Sequence, residues 1–310
     1  MPAGTFARHA EAWRRARLLV QVYDWLQLAF VMQTVSWLPR IIRGKPELLW
    51  PVAWVDEVGV VTGAVALLGV TVVLAAAAVA GVSPRLCRGL AAVGFAMLVA
   101  LDCSFGKITH HWHAWFFTGF VLALSDTEPA PLGVRRRLHV QRNLTVFWFA
   151  QALVLLFYSL TGFWKLVGLV IQGSAGSLTY LSPGALATQI AHASLVSGAS
   201  PLAAPWVAVH PALAWLGVVG VLYLEVCAFV VAFRPALQPA WAAALIGFHL
   251  GVRVTMDLDF TGQAVTVALL FLRSPLAAGR PPIEALQGVP LVAPVARWLS
   301  ARIGPASAVR

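Results

Sequence analysis

Residues 145–171 read TVFWFAQALVLLFYSLTGFWKLVGLVI, an apolar run whose one charged residue is Lys165. At a rise of about 1.5 Å per residue this run makes a helix roughly 40 Å long, enough to cross a hydrocarbon core of about 30 Å. Further runs of the same kind lie on both sides, near 18–38, 58–81, 89–105, 112–125, 206–233, 237–256 and 262–275. The sequence therefore predicts an all-α integral membrane protein. Its architecture is a polytopic bundle of about eight transmembrane helices over 18–275, with no sizeable soluble domain.

Composition agrees. Of 310 residues 60% are hydrophobic and 11% charged, against about 25% charged in soluble domains. The mean hydropathy is +0.80. A soluble enzyme and a disordered chain are both excluded. The net charge of +10 would suggest nucleic acid in a soluble protein. Here the cations instead follow the positive-inside rule. With a cytoplasmic N-terminus, the inner side collects Arg8, Arg14, Arg15 and Arg17, then Arg85 and Arg88, then Arg135, Arg136, Arg137 and Arg142, then Arg234. The tail adds Arg273, Arg280, Arg297, Arg302 and Arg310. The outer side holds only Arg40, Arg43, Lys45, Lys107 and Arg253. Both termini are thus expected in the cytoplasm, in a bacterial-type inner (plasma) membrane. The expected partners are membrane lipid and a secreted peptide or protein substrate, with no nucleic acid.

Residues 1–17 form a basic N-terminus, read as preceding a retained span rather than a cleaved signal. Residues 276–310 form a basic, Pro- and Ala-rich tail, in which 294–303 could make a short amphipathic helix on anionic lipid. The outer connection near 172–205 has no Lys, Arg, Asp or Glu and suits a re-entrant or interfacial loop. Cys87, Cys103 and Cys227 match no disulfide framework or zinc pattern and read as buried thiols.

Ionisable groups inside spans mark functional candidates. The topology puts Asp102, Lys107, His110, His113, Lys165, His249 and Arg253 toward the outer side, and Asp24 and Glu225 nearer the inner side. In the quoted run Gln151, Tyr158, Lys165 and Gln172 recur every seven residues, giving one polar stripe. Thr161 lies one turn before Lys165, and Gly162 and Gly168 allow close helix packing. A Lys in apolar surroundings suits a general base; snorkelling or pairing with an acid is the alternative. His110 and His113 fit substrate orientation or an aromatic belt, and with no third ligand in view no metal is expected. Arg253 either pairs with Asp257 or Asp259 or anchors a polar substrate group.

The segment Phe157-Tyr-Ser-Leu-Thr-Gly-Phe-Trp-Lys165-Leu resembles the signature of the vitamin K-dependent gamma-carboxylase and its bacterial relatives, the horizontally transferred transmembrane (HTTM) domain proteins. His113-Ala-Trp-Phe-Phe, Phe248-His249-Leu and Ala268-Leu-Leu-Phe-Leu-Arg-Ser-Pro275 are similar to its other motifs, in the same order across roughly 10–276. The resemblance implies a membrane enzyme with carboxylase/epoxidase-like (lyase/oxidoreductase) chemistry. Lys165 would be the base that deprotonates an apolar quinol at an outward-facing pocket, and His113 the second catalytic residue. His249, Arg253, His110, Tyr158 and Thr161 would bind substrate. The implied cofactor is reduced vitamin K or a menaquinone-like quinol, with O2 and CO2 for a true carboxylase. Trp164 stands where the carboxylase has a Lys, and about 35 residues follow the last span in place of a large lumenal region. The alternative left open is a non-enzymatic accessory protein for maturation or export of a secreted peptide, or a small transporter.

Overall fold

The structure, a computed structural model, describes residues 3–106, 110–128, 134–174, 180–198, 201–277 and 294. Every regular element among them is helical. The chain divides into two compact units, Met1–Gln151 and Ala152–Arg310.

The first unit holds α1 (Ala3–Gln33), α2 (Leu38–Arg43), α3 (Val60–Val79), α4 (Pro84–Cys103), α5 (His113–Leu122) and the start of α6 (Val134–Ser174). The N-terminal residues expected as a separate basic segment belong to α1, which continues through a 3-10 turn into α2. A tight turn at Gly81 (φ +78°) joins α3 to α4, a conformation that costs glycine little. Pro84 opens α4, where a missing N–H does no harm. α3 packs on α4 and α1, and α4 on α5.

Polar pairing holds this unit together. Arg88 is fully buried, and its guanidinium donates to both carboxylate oxygens of Asp24 at 2.6 and 2.8 Å. It also donates to the carbonyls of Leu122 and Ser125. Arg88, expected as an inner-loop cation, is therefore an interhelical group, because an isolated buried charge is too costly. Gln27 accepts from Tyr23 and Trp115, whose rings stack at 4.4 Å. At one end of the unit Arg85 and Arg142 both bind Asp126, at 3.2 and 2.7 Å. At another Arg40 pairs with Asp102 and lies over Phe105.

The second unit holds the rest of α6, then α7 (Ala185–Ser197), α8 (Ala204–Val209), α9 (Pro211–Val226), α10 (Ala228–Ala232), α11 (Gln238–Met256) and α12 (Thr261–Val267). α12 runs on as a π-helical turn, Ala268–Leu272. α11 touches α7, α8, α9, α10 and α12. The outer connection expected as a loop carries the helix α7. The single span expected over 206–233 is broken twice. Pro211 cannot continue the hydrogen-bond ladder of α8, so α9 starts afresh there. At Cys227 the hydroxyl of Ser159 on α6 enters the ladder: it accepts from the Phe229 N–H at 2.8 Å and contacts the Glu225 and Val226 carbonyls at 3.1 Å. Such insertion is a recognised cause of helix breaks.

Four helical stretches are long and apolar enough to cross a membrane: Phe6–Arg43, Val60–Val79, Pro84–Cys103 and Arg135–Gly173. His113–Leu122, Pro211–Val226 and Thr261–Leu272 are shorter apolar helices. Lys107, Arg280, Arg297, Arg302, Arg310 and most of the expected 294–303 helix lie outside the described residues. All three cysteines are buried and none forms a disulfide.

Arg88→Ala leaves Asp24 buried without its counter-charge, and a loss of about 3–5 kcal/mol in stability is expected. The paired change Asp24→Leu with Arg88→Met should recover most of it. Thermal unfolding in detergent checks this; equal losses from the single and double changes would show that the pair is not what matters.

Candidate functional site

Lys165 and Tyr158 lie two turns apart on α6, so they share one face. That face meets α9 and α11. The Lys165 ammonium donates to both carboxylate oxygens of Glu225 at 2.6 Å. The Lys165 side chain is 25% exposed and that of Glu225 only 3%. The Tyr180 ring lies 5.2 Å from the ammonium. Close approach of the helices depends on Gly162, where a Cβ would come within 2.7 Å of the Val226 nitrogen and 2.9 Å of the Glu225 Cβ. Gly168, expected to serve the same purpose, has open space around it.

Glu225 was expected nearer the inner side, away from Lys165. Direct contact puts the two at one level. The break at Cys227 ends α9 just after Glu225 and brings it beside α6, a feature that an uninterrupted 206–233 helix would lack.

On α11, His249 is 4% exposed, and its Nε2 is 2.5 Å from the Tyr158 hydroxyl. Its other ring nitrogen, Nδ1, is buried with no hydrogen-bond partner among the described residues. Phe248 and Phe260 flank the imidazole at 4.9 and 5.4 Å. A buried polar atom without a partner costs roughly 1–3 kcal/mol, and it is a natural contact for a ligand with a hydroxyl or carbonyl.

The remaining expected residues are placed differently. Thr161 is exposed and bonds the Phe157 carbonyl of its own helix. Arg253 is exposed and forms loose ion pairs with Asp257 (3.5 Å) and Asp259 (3.9 Å), the simpler of the two expectations. Asp257 caps α11 in the left-handed region at φ +53°. Asp259 in turn accepts from the Thr261 N–H and hydroxyl at the start of α12.

His110 and His113 belong to the first unit, with their Nδ1 atoms 3.1 Å apart. His113 lines a cavity of about 340 Å³ whose other walls are mainly apolar, including Val93, Met97, Phe116 and Phe120. Asp102, expected to join the outer titratable groups, is taken up by Arg40. Among the described residues no three His, Cys, Asp or Glu side chains come together as a metal ion would require.

Ser159, Tyr180 and Phe260 were not singled out from the sequence. Ser159, Gly162 and Lys165 follow at three-residue intervals on one helix, a small-polar pattern that signals a close helix contact. Tyr180 and Phe260 lie outside the long apolar runs, and only the folded chain brings them in.

No protein-family model matches the chain, and no curated protein and no solved structure matches it either.

Gly162→Ala places a methyl group against the α9 backbone. A destabilisation of about 1–3 kcal/mol is expected, whereas Gly168→Ala should be neutral or slightly stabilising. Melting temperatures of the two variants in detergent test this, and equal behaviour would contradict the close contact at Gly162.

Proposed function

We propose that the chain is an integral-membrane enzyme related to the HTTM proteins and the vitamin K-dependent gamma-carboxylase. It would act on an apolar quinol or lipid-like substrate, with Lys165 as general base. We further assign it about eight spans in a bacterial-type plasma membrane, with both termini cytoplasmic. The clustering of Arg85 and Arg142 on Asp126 supports that topology, since it brings the start of α4, the turn after α5 and α6 at Arg142 together.

The observation that carries the enzymatic reading is the Lys165–Glu225 pair one helix face from a buried His249 with a spare nitrogen. The Lys165 ammonium lies 2.6 Å from both carboxylate oxygens of Glu225, within reach for proton transfer. With its proton on Glu225, Lys165 can take another at Nζ. Glu225 thus stores the proton that Lys165 must shed before it acts as a base.

The surroundings fit a quinol. Phe248 and Phe260 offer aromatic faces, and His249 Nδ1 offers one polar contact among them. When bound, a reduced vitamin K or menaquinone-like quinol would supply an acidic hydroxyl on an apolar ring, with O2 and CO2 as co-substrates for a carboxylase. Tyr158 fixes the His249 ring by holding Nε2. The resemblance gives His113 the role of stabilising an anion; in the first unit it is a polar group on an apolar cavity.

A second reading, an accessory protein for maturation or export of a secreted peptide, is favoured by one feature. A Lys bonded to both oxygens of a carboxylate is also what a purely structural link between α6 and α9 needs. Anaerobic incubation with reduced menaquinone or a vitamin K analogue, followed by oxygen, separates the two. Epoxide from the native chain is expected to fall by at least about a hundredfold in Lys165→Ala, the lower range for loss of a general base. Equal yields from both proteins, or none from either, would sink the enzymatic reading.

A further inference from the structure

The N-terminal turns of α1 and α6 meet in the first unit. Arg136 and Arg137 both lie over the Phe6 ring, with guanidinium carbons 5.8 and 5.4 Å from its centroid. Trp13 packs edge-on against His139 at 5.9 Å just behind them. Arg135, Arg136 and Arg137 are all exposed.

Neighbouring cations are treated differently. Arg14 and Arg15 bind Glu11, Arg85 and Arg142 bind Asp126, and Arg88 binds Asp24. Among the described residues no carboxylate pairs with Arg135, Arg136 or Arg137. The unmapped stretch just before them, 129–133, reads Pro-Ala-Pro-Leu-Gly and holds no acid. Among the described residues, two guanidinium groups are thus gathered on one ring against their mutual repulsion, with cation–π attraction and no carboxylate. An anion with several acceptor oxygens relieves that repulsion and matches the planar donors of arginine.

We propose that Phe6, Arg136 and Arg137 form a headgroup site for an anionic phospholipid. Position favours lipid over a soluble anion. Arg136 and Arg137 precede Arg142, at the edge of the apolar run, by about one and a half turns or roughly 8 Å. A headgroup layer is roughly 5–7 Å thick on each side of the core, and an arginine side chain spans the difference. Leu138, next to Arg137 on α6, is 66% exposed and offers apolar surface beside the arginines. Each arginine near an anionic surface contributes to attraction, and the paired geometry adds selectivity for a phosphate with net negative charge. The site does not depend on the enzymatic reading.

Native mass spectrometry of the full chain from micelles holding equal amounts of phosphatidylglycerol and phosphatidylcholine tests the site. Retention of phosphatidylglycerol over phosphatidylcholine is expected. Arg136→Ala with Arg137→Ala should reduce that preference on the order of tenfold. Phe6→Leu should weaken it less, and Arg136→Lys with Arg137→Lys should keep part of it in a protein of unchanged surface charge. Equal retention of both lipids by the native chain overturns the proposal, as does undiminished preference in the double Ala variant. Displacement of the lipid by inorganic phosphate, or by RNA, at concentrations similar to the lipid's own would assign the cluster to soluble anions and equally overturn it.

Discussion

An ion taken out of water must be met by an opposite charge carried on another segment, and that constraint organises both units. In the first, Arg88 cannot stay buried unless Asp24 on α1 reaches it and two carbonyls near the end of α5 accept hydrogen bonds from its Nη1. In the second, Lys165 on α6 is met by Glu225 on α9. Apolar helices in a lipid-like medium gain little from mutual contact, so pairs of this kind supply direction and register that hydrophobic burial does not.

The pairing in the second unit comes with local costs in helix regularity. Gly162 gives up a side chain so that α6 can approach α9. Ser159 enters the α9 ladder and stops it at Cys227. Together they leave Glu225 at the last turn of α9, where a helix end is fixed by a neighbour and not by its own propensity. The π-helical turn after α12 and the Pro211 start of α9 show the same preference for local breaks over long straight spans.

Much of the first unit was legible in the sequence. The spans near 58–81 and 89–105 correspond to α3 and α4, because long apolar runs between turn residues leave few alternatives. Span 237–256 corresponds to α11 for the same reason. What stayed hidden were features set by a second segment. Nothing in residues 206–233 announces that Ser159 will interrupt them, and nothing near Arg88 distinguishes a buried arginine from a loop cation. In the site, the recurring polar residues on α6 pointed to Lys165 and Tyr158, and Phe248-His249 to a histidine near a pocket. Their partners, Glu225 for one and the Tyr158–His249 contact itself, depend on helix ends and crossings that periodicity does not encode.

The two pairs in the second unit differ in what they leave available, and the difference orders their roles. Lys165 is held by both oxygens of Glu225, so an incoming polar group gains at Nζ only by displacing an existing charge-assisted bond. Among the described residues His249 is satisfied at Nε2 and unsatisfied at Nδ1, so a hydroxyl or carbonyl arriving there removes a desolvation cost. On the enzymatic reading proposed above, ground-state binding falls to His249 and its aromatic neighbours, and the Lys165–Glu225 pair contributes when a proton moves. Interactions that strengthen only as the proton moves raise the rate without tightening substrate binding, so that reading divides the work between an imidazole nitrogen and a closed ion pair.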